Sequence, residues 1–181
     1  TNVGFNMLAL CNARPEVMNL KQIIAAFIAF REEVIIRRTR FDLEKARERA
    51  HVLLGFAIAV ANLDDVIALI RAAKDPSTAR GQLMDREWPT LDVADIVQMV
   101  ESHHVELPTT YRLSETQARA VLALTLSRLT SLAANELQNE EADLTQELAR
   151  LRNELENDSA VYDRICGELE DCKKRFGGPR R

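Results

Sequence analysis

From Leu20 the apolar positions recur at an interval of seven: Leu20, Phe27, Val34 and Phe41, with Ile24, Ile28 and Ile35 widening the stripe. A sevenfold apolar repeat is the seam of a coiled coil. Asn19 stands at its head with Gln22 three residues on, the pattern of a capping box. No proline and only Gly55 interrupts the helix before Ala61. After Phe41 the face turns polar, and Val52 to Ala61 is apolar all round, so the first half predicts a coiled-coil arm and the second half enters a core. A second repeat closes the chain. With Leu137 as a d position, the a and d positions are Leu137, Glu141, Leu144, Leu148, Leu151, Leu155, Asp158, Tyr162, Ile165, Leu169, Cys172 and Phe176, apolar except for Glu141 and Asp158. Gly177-Gly178-Pro179 ends it, as a helix stop should.

Shorter elements lie between the repeats. Asp64 or Asp65 is placed to cap a helix from Val66 to Ala73, and Asp75-Pro76 is a cap followed by proline at the first helical position. A third helix is expected over Leu91 to Glu101, behind a break at Trp88-Pro89, and Glu106 to Thr110 reads as a loop closed by Pro108. Ser114 and Gln117 form a second capping box, opening a helix whose apolar residues Ala118, Val121, Leu122, Leu124, Leu126 and Leu129 cover most of its surface. Before the first arm, FNMLALCNARPEVM has two short apolar stretches about Asn12 to Pro15, which predicts a β-hairpin. An isolated hairpin is marginal in water, so it reads as the edge of a sheet continued outside this sequence.

The expected fold is mainly α: a long antiparallel two-helix coiled-coil stalk bearing a small all-α globular head, with a short N-terminal β-hairpin remnant. The expected divisions are 1–18 for the hairpin, 19–50 for the first arm, 51–133 for the head, 134–176 for the second arm and 177–181 for the start of a linker.

Composition supports length rather than a large globule. The 181 residues include only 6 glycines and 5 prolines, well under the usual roughly 12%. The longest apolar run is ten residues, short of the roughly 18 that span a bilayer. No secretory leader is visible, and the first residue, Thr1, predicts a piece of something longer. A net charge of −4 argues against a chain that wraps nucleic acid by itself, so DNA contact should be local. Cys11, Cys166 and Cys172 are odd in number and lack CxxC spacing, which reads as reduced thiols in a cytoplasmic protein.

Candidate chemistry is sparse. No GxGxxG, P-loop, HExxH or GxSxG motif occurs, and neither a catalytic residue nor a metal site is predicted. His103-His104 has no partnered acid or thiol nearby and reads as surface loop. Arg31, Arg37, Arg38, Arg40, Lys45, Arg47 and Arg49 on the first arm are either a DNA-facing set, with Arg37, Arg38 and Arg40 at its centre, or a solvated face beside Glu44 and Glu48. Asp158 either loosens the second arm and lets it bend or is simply wet. The helix opened by Ser114 is apolar on more faces than one core requires, as is Val52 to Ala61, so either can supply a patch for a second copy, with Leu113, Val121, Leu122, Leu124, Leu126 and Leu129 as the candidates. The coiled-coil core is expected from Leu20, Phe27, Val34, Phe41, Leu144, Leu148, Leu151, Leu155, Tyr162, Ile165 and Leu169.

Four stretches carry a resemblance: FNMLAL with MNLKQIIAAFIAFREEVIIRRTRFDLEKARERAHVL, then VANLDDVIALIRAAKDP, then YRLSETQARAVLALTLSRLTSL, and the terminal FGGPRR. Together, in this order, they resemble the A subunits of bacterial DNA gyrase, a type IIA DNA topoisomerase, over essentially the whole chain. The paralogous topoisomerase IV A subunit is the near alternative, which the Trp88 segment disfavours. An adaptor protein of similar design is the more distant one. The resemblance implies the end of the tower domain, two coiled-coil arms and the exit gate (C-gate), through which a homodimer releases a transported double-stranded DNA segment. It also implies an ATP-hydrolysing holoenzyme with the gyrase B subunit, in which Mg2+ and ATP sit on that partner. No cofactor is then expected in this chain and no membrane contact. The family's nucleophilic Tyr follows an Arg. Tyr111 precedes one and Tyr162 sits in the heptad, so this stretch should be inactive alone. The family often reads LRLQRLT where this chain reads LTLSRLT at Leu124 to Thr130, which alters polar contacts and keeps the apolar positions.

Overall fold

A computed structural model describes residues 6–11, 13–90, 110–123 and 135–178. The elements are β1 (Leu8–Cys11), β2 (Arg14–Val17), α1 (Leu20–Ala61), α2 (Leu63–Ala72), α3 (Pro76–Asp85), β3 (Glu87–Pro89), β4 (Thr110–Arg112), α4 (Glu115–Ala123), α5 (Asn135–Glu156) and α6 (Asp158–Phe176). The fold is mainly α, with the small N-terminal hairpin. The predicted helix Leu91 to Glu101, the loop at Pro108 and His103-His104 lie outside the described residues.

The chain divides into two compact units, one made of residues 1–42 with 151–181 and the other of residues 43–150. In the first, β1 and β2 pair antiparallel with Cys11 opposite Arg14. Ala13 takes the left-handed backbone at φ 62° that such a tight loop needs. Pro15 is tolerated because a two-stranded ribbon is all edge. Asn19 and Gln22 close the expected capping box: Asn19 N–H donates to Gln22 Oε1 at 2.8 Å and Gln22 N–H to Asn19 Oδ1 at 2.9 Å. α1 then runs 42 residues, roughly 63 Å at the helical rise.

Within this unit α1 and α6 run antiparallel. Arg31 pairs with Glu168, Tyr162 Oη donates to Glu32, and Thr39 meets Glu154, so partners descend along α6 and the end of α5 as α1 ascends. Ile35, Val161 and Ile165 form the buried apolar seam, with Ile36 packed against it. The second arm is not one helix. It breaks at Asn157, whose backbone is extended (φ −129°, ψ 104°) with no side-chain cap on α6. α6 ends at Phe176, and Gly177 N–H returns to the Lys173 carbonyl at 2.7 Å.

The second unit has a larger core. Leu54, Ala57, Ile58 and Ala59 of α1 are buried with Val66 of α2, Leu83 of α3, Trp88 of β3, Leu113, and Ala118 and Val121 of α4. Asp75 caps α3 by accepting from Thr78 N–H at 2.8 Å, and with Pro76 behind it this is the expected start. The Ser77 hydroxyl and Thr78 hold the Asp75 carboxyl down at about 2. α2 instead begins behind Asn62, which makes no side-chain cap, and Asp64 and Asp65 fall in its first turn.

This unit is not all helical. β3 and β4 form an antiparallel ladder with Trp88 opposite Tyr111, where the sequence suggested only a break and a loop. Three-residue strands carrying Pro89 are too short to show an alternating pattern. Trp88 is fully buried and its Nε1–H donates to the Leu83 carbonyl at 2.9 Å. The Arg86 guanidinium lies 4.7 Å from its ring centroid. No single described helix is long and apolar enough to cross a membrane.

Candidate functional site

α4 is set on the second unit by one side chain. Ser114 N–H donates to Gln117 Oε1 at 2.9 Å and Gln117 N–H to Ser114 Oγ at 3.3 Å, which is the reciprocal cap the sequence predicts. A capping glutamine is ordinarily wet. Gln117 is fully buried. Its Nε2 donates to the His51 carbonyl at 2.7 Å and to Tyr111 Oη at 3.3 Å, and His51 Nε2 lies 2.8 Å from Ser114 Oγ. Gln117 therefore caps α4, anchors it to α1 and reaches β4 at once. Gly55, one turn beyond His51, makes the approach possible. A Cβ there would lie 2.8 Å from both Cβ and Cγ of Gln117. Gly55 marks a close helix contact.

This anchoring decides which apolar residues of α4 face inward. Leu113 and Val121 are buried in the core of their own unit. Val121 stands one turn beyond Ala118 on the same face of α4, and Leu113 enters the core just ahead of the helix. Leu122 is half-buried against the same core and is the candidate for dimer contact among the described residues. Leu124, Leu126 and Leu129 lie outside the described residues.

Along the arms the buried positions differ from the heptad expectation. Leu144, Leu148, Leu151 and Ile165 are buried, and Val34 and Leu155 are half-buried. Leu20, Phe27, Phe41, Tyr162 and Leu169 are exposed. On the part of α1 in the first unit the buried residues are Ile35 and Thr39, and past Leu151 they are Glu154, Val161 and Ile165. Glu154 and Val161 are buried one residue before the expected Leu155 and Tyr162, while Ile165 keeps the expected register.

The basic set divides. Arg31 and Arg38 both pair with Glu168, and Arg49 pairs with Glu140 at 2.5 Å. Arg38 Nε is buried without a hydrogen-bond partner. Arg37 and Arg40 are exposed, and Arg37 lies 3.9 Å from Glu33 on its own helix. Arg38 is thus committed to α6 while Arg37 and Arg40 face solvent. The Arg38 hydrogen bond leads the effects that hold the Glu168 carboxyl below its usual range against partial desolvation, and the charges of Arg38, Arg31 and Arg164 add to it.

Both tyrosines have local partners. Tyr111 Oη receives Gln117, and Tyr162 Oη donates to Glu32 Oε2 at 3.4 Å, whose charge raises the Tyr162 phenol above its usual value. Cys166 and Cys172 are exposed and Cys11 is half-buried, all as free thiols. Among the described residues no three His, Cys, Asp or Glu side chains are grouped to hold a metal ion.

Sequence comparison agrees with this arrangement. The profile of the DNA gyrase/topoisomerase IV A-subunit family matches residues 1–170. The DNA gyrase A subunit of Rickettsia typhi is 43% identical over 182 residues, covering 99% of this chain and 20% of its own length. That of Granulibacter bethesdensis is 42% identical over 98% of this chain and 19% of its own. The DNA gyrase A subunit of Streptococcus pneumoniae is 38% identical over all of this chain and 19% of its own. The chain belongs to the family of DNA gyrase and topoisomerase IV A subunits, and it spans about a fifth of the length of the curated relatives it matches.

Proposed function

We propose that this chain is the exit-gate region of the A polypeptide of a DNA gyrase, a type IIA topoisomerase. It closes a homodimer and releases a transported double-stranded DNA segment during ATP-dependent supercoiling. The observation that carries the reading is family membership over residues 1–170 in a chain whose first unit is an antiparallel helix pair. An antiparallel pair spaces elements apart and carries no chemistry of its own. The chain alone is inactive, because its tyrosines serve as a core hydrogen-bond acceptor and a surface donor to Glu32. Strand cleavage, Mg2+ and ATP belong to the rest of an A2B2 assembly with the gyrase B polypeptide, which acts on DNA in the cytoplasm.

Dimerisation uses Leu122 at the edge of the buried face of α4, with Leu124, Leu126 and Leu129 of the sequence that follows. Sedimentation equilibrium tests this. The chain should be a dimer at tens of micromolar, and Leu122→Glu or Leu126→Glu should weaken it by about tenfold or more, as loss of a central apolar contact does. A clean monomer in the parent chain would falsify the reading.

A further inference from the structure

The geometry points to a joint at Asn157 whose angle is set by the buried carboxylate of Glu154. Glu154 is only 8% exposed and lies in the last turn of α5. Its Oε2 accepts from Thr39 Oγ1 of α1 at 3.1 Å and from Arg164 Nη1 of α6 at 2.5 Å. One anion therefore ties together the end of α5, the middle of α6 and α1, reaching across the break. Arg164 Nε lies 3.6 Å from Glu168, which in turn holds Arg31 and Arg38. Three arginines and two glutamates thus hold α6 against α1 at this level.

The backbone itself does little to fix the angle there. Asn157 leaves the helical backbone without a side-chain cap, and α6 restarts with Ala160 and Val161 N–H groups directed to the Asn157 carbonyl at 3.0 and 3.4 Å. The buried apolar seam is Ile35, Val161 and Ile165. Rotation about Asn157 breaks few backbone bonds, since the ladder is already interrupted. It does pull Arg164 from Glu154, which breaks the charge-assisted bond that spans the break. The joint is closed while Glu154 is buried with Arg164 and opens when that pair parts. Its use, bending an arm as a gate moves, rests on the function proposed above. Its mechanics do not.

The test places spin labels at the exposed positions Asn153 and Lys173, with Cys11, Cys166 and Cys172 replaced by serine, and reads the distance distribution across the break. The parent should give one narrow distribution. Glu154→Gln should at least double its width and raise amide exchange over residues 158–161 by about tenfold or more, while exchange around Trp88 stays unchanged. Arg164→Gln, which leaves α5 and α1 intact, should do the same and stands in if Glu154→Gln fails to fold. Glu147→Gln, at an exposed pair with Arg150, is the silent control. A distribution as narrow in both variants as in the parent overturns the joint, whatever the oligomeric state. A monomeric parent with a Glu154-dependent width keeps the joint and removes only the gate.

Discussion

Gly55 of α1 and Gln117 of α4 touch so closely that no side chain fits between them: a Cβ at Gly55 would come within 2.8 Å of Gln117 Cβ. The obstructing atoms are the root of a side chain that is itself pinned at both ends, by Ser114 and by His51. Helix propensity favours alanine over glycine by about 1 kcal/mol. Overpacking against an immovable neighbour costs typically about 1–3 kcal/mol.

Gly55→Ala should therefore destabilise the chain by up to about 2 kcal/mol, read by urea denaturation. Gln117→Ala alone should also destabilise it, since Ser114 N–H loses its cap partner. In the double variant the Cγ contact disappears while the Cβ contact stays, so the clash is relieved only in part and the two losses should fall short of additive by about 0.5–1 kcal/mol. A more stable Gly55→Ala would sink the packing argument.

The single tryptophan reports on the same unit. Trp88 is fully buried, so its emission should be blue-shifted in the folded chain and red-shift on unfolding of residues 43–150. Trp88→Phe keeps much of the ring packing and removes the donor to the Leu83 carbonyl. It should cost about 1–3 kcal/mol, measured by calorimetry.

Acid should loosen the α1–α6 pairing in a definite direction. Glu168 has its carboxyl held below the ordinary glutamate value of 4.5, so the unfolded chain binds more protons than the folded one as pH drops. The contribution is then complete above about 4.5 and is lost as pH falls through the folded value. Glu168→Gln should flatten the acid limb of a plot of Tm against pH and leave its neutral limb little changed in slope. With a side chain 31% exposed, solvent screening keeps the effect modest, about 1 kcal/mol or less. An acid limb as steep in Glu168→Gln as in the parent would contradict the assignment.

The exposed arginines separate DNA contact from architecture. Arg37→Gln with Arg40→Gln leaves the Glu168 pairs untouched, whereas replacing Arg38 removes one of them. If these two residues meet DNA in transit, the double variant within the complete A2B2 enzyme should slow supercoiling several-fold, with a weaker salt dependence and an unchanged Tm. Equal supercoiling rates at low and moderate salt would assign them to a merely solvated face.

Much of this architecture is written in local signals. Asn19 with Gln22, Asp75 with Pro76, and Ser114 with Gln117 each name a helix start, and each cap is found at its bond distances. What escaped was carried by polar residues in buried places. Thr39 and Glu154 occupy seam positions, and counting apolar residues skips both. Phe27 and Phe41 keep the sevenfold spacing and stay exposed. Asn157 interrupts the second arm with neither glycine nor proline to announce it, and the sign beside it was Asp158 at a heptad position. Gln117 was legible as a cap but not as an anchor, although a lone glycine at position 55 in an apolar helix was the available hint of a close neighbour.

The first unit is assembled from both ends of the sequence: Arg31 finds Glu168 across a separation of 137 residues. The second is one uninterrupted stretch, residues 43–150. On a ribosome, which delivers roughly 5–20 residues per second, these two facts impose an order of assembly. The continuous stretch can close its core around Trp88 while synthesis is still under way. The first half of α1 must wait, with Ile35 and its arginines uncovered, until α6 has emerged. For those seconds that segment is what a chaperone would meet.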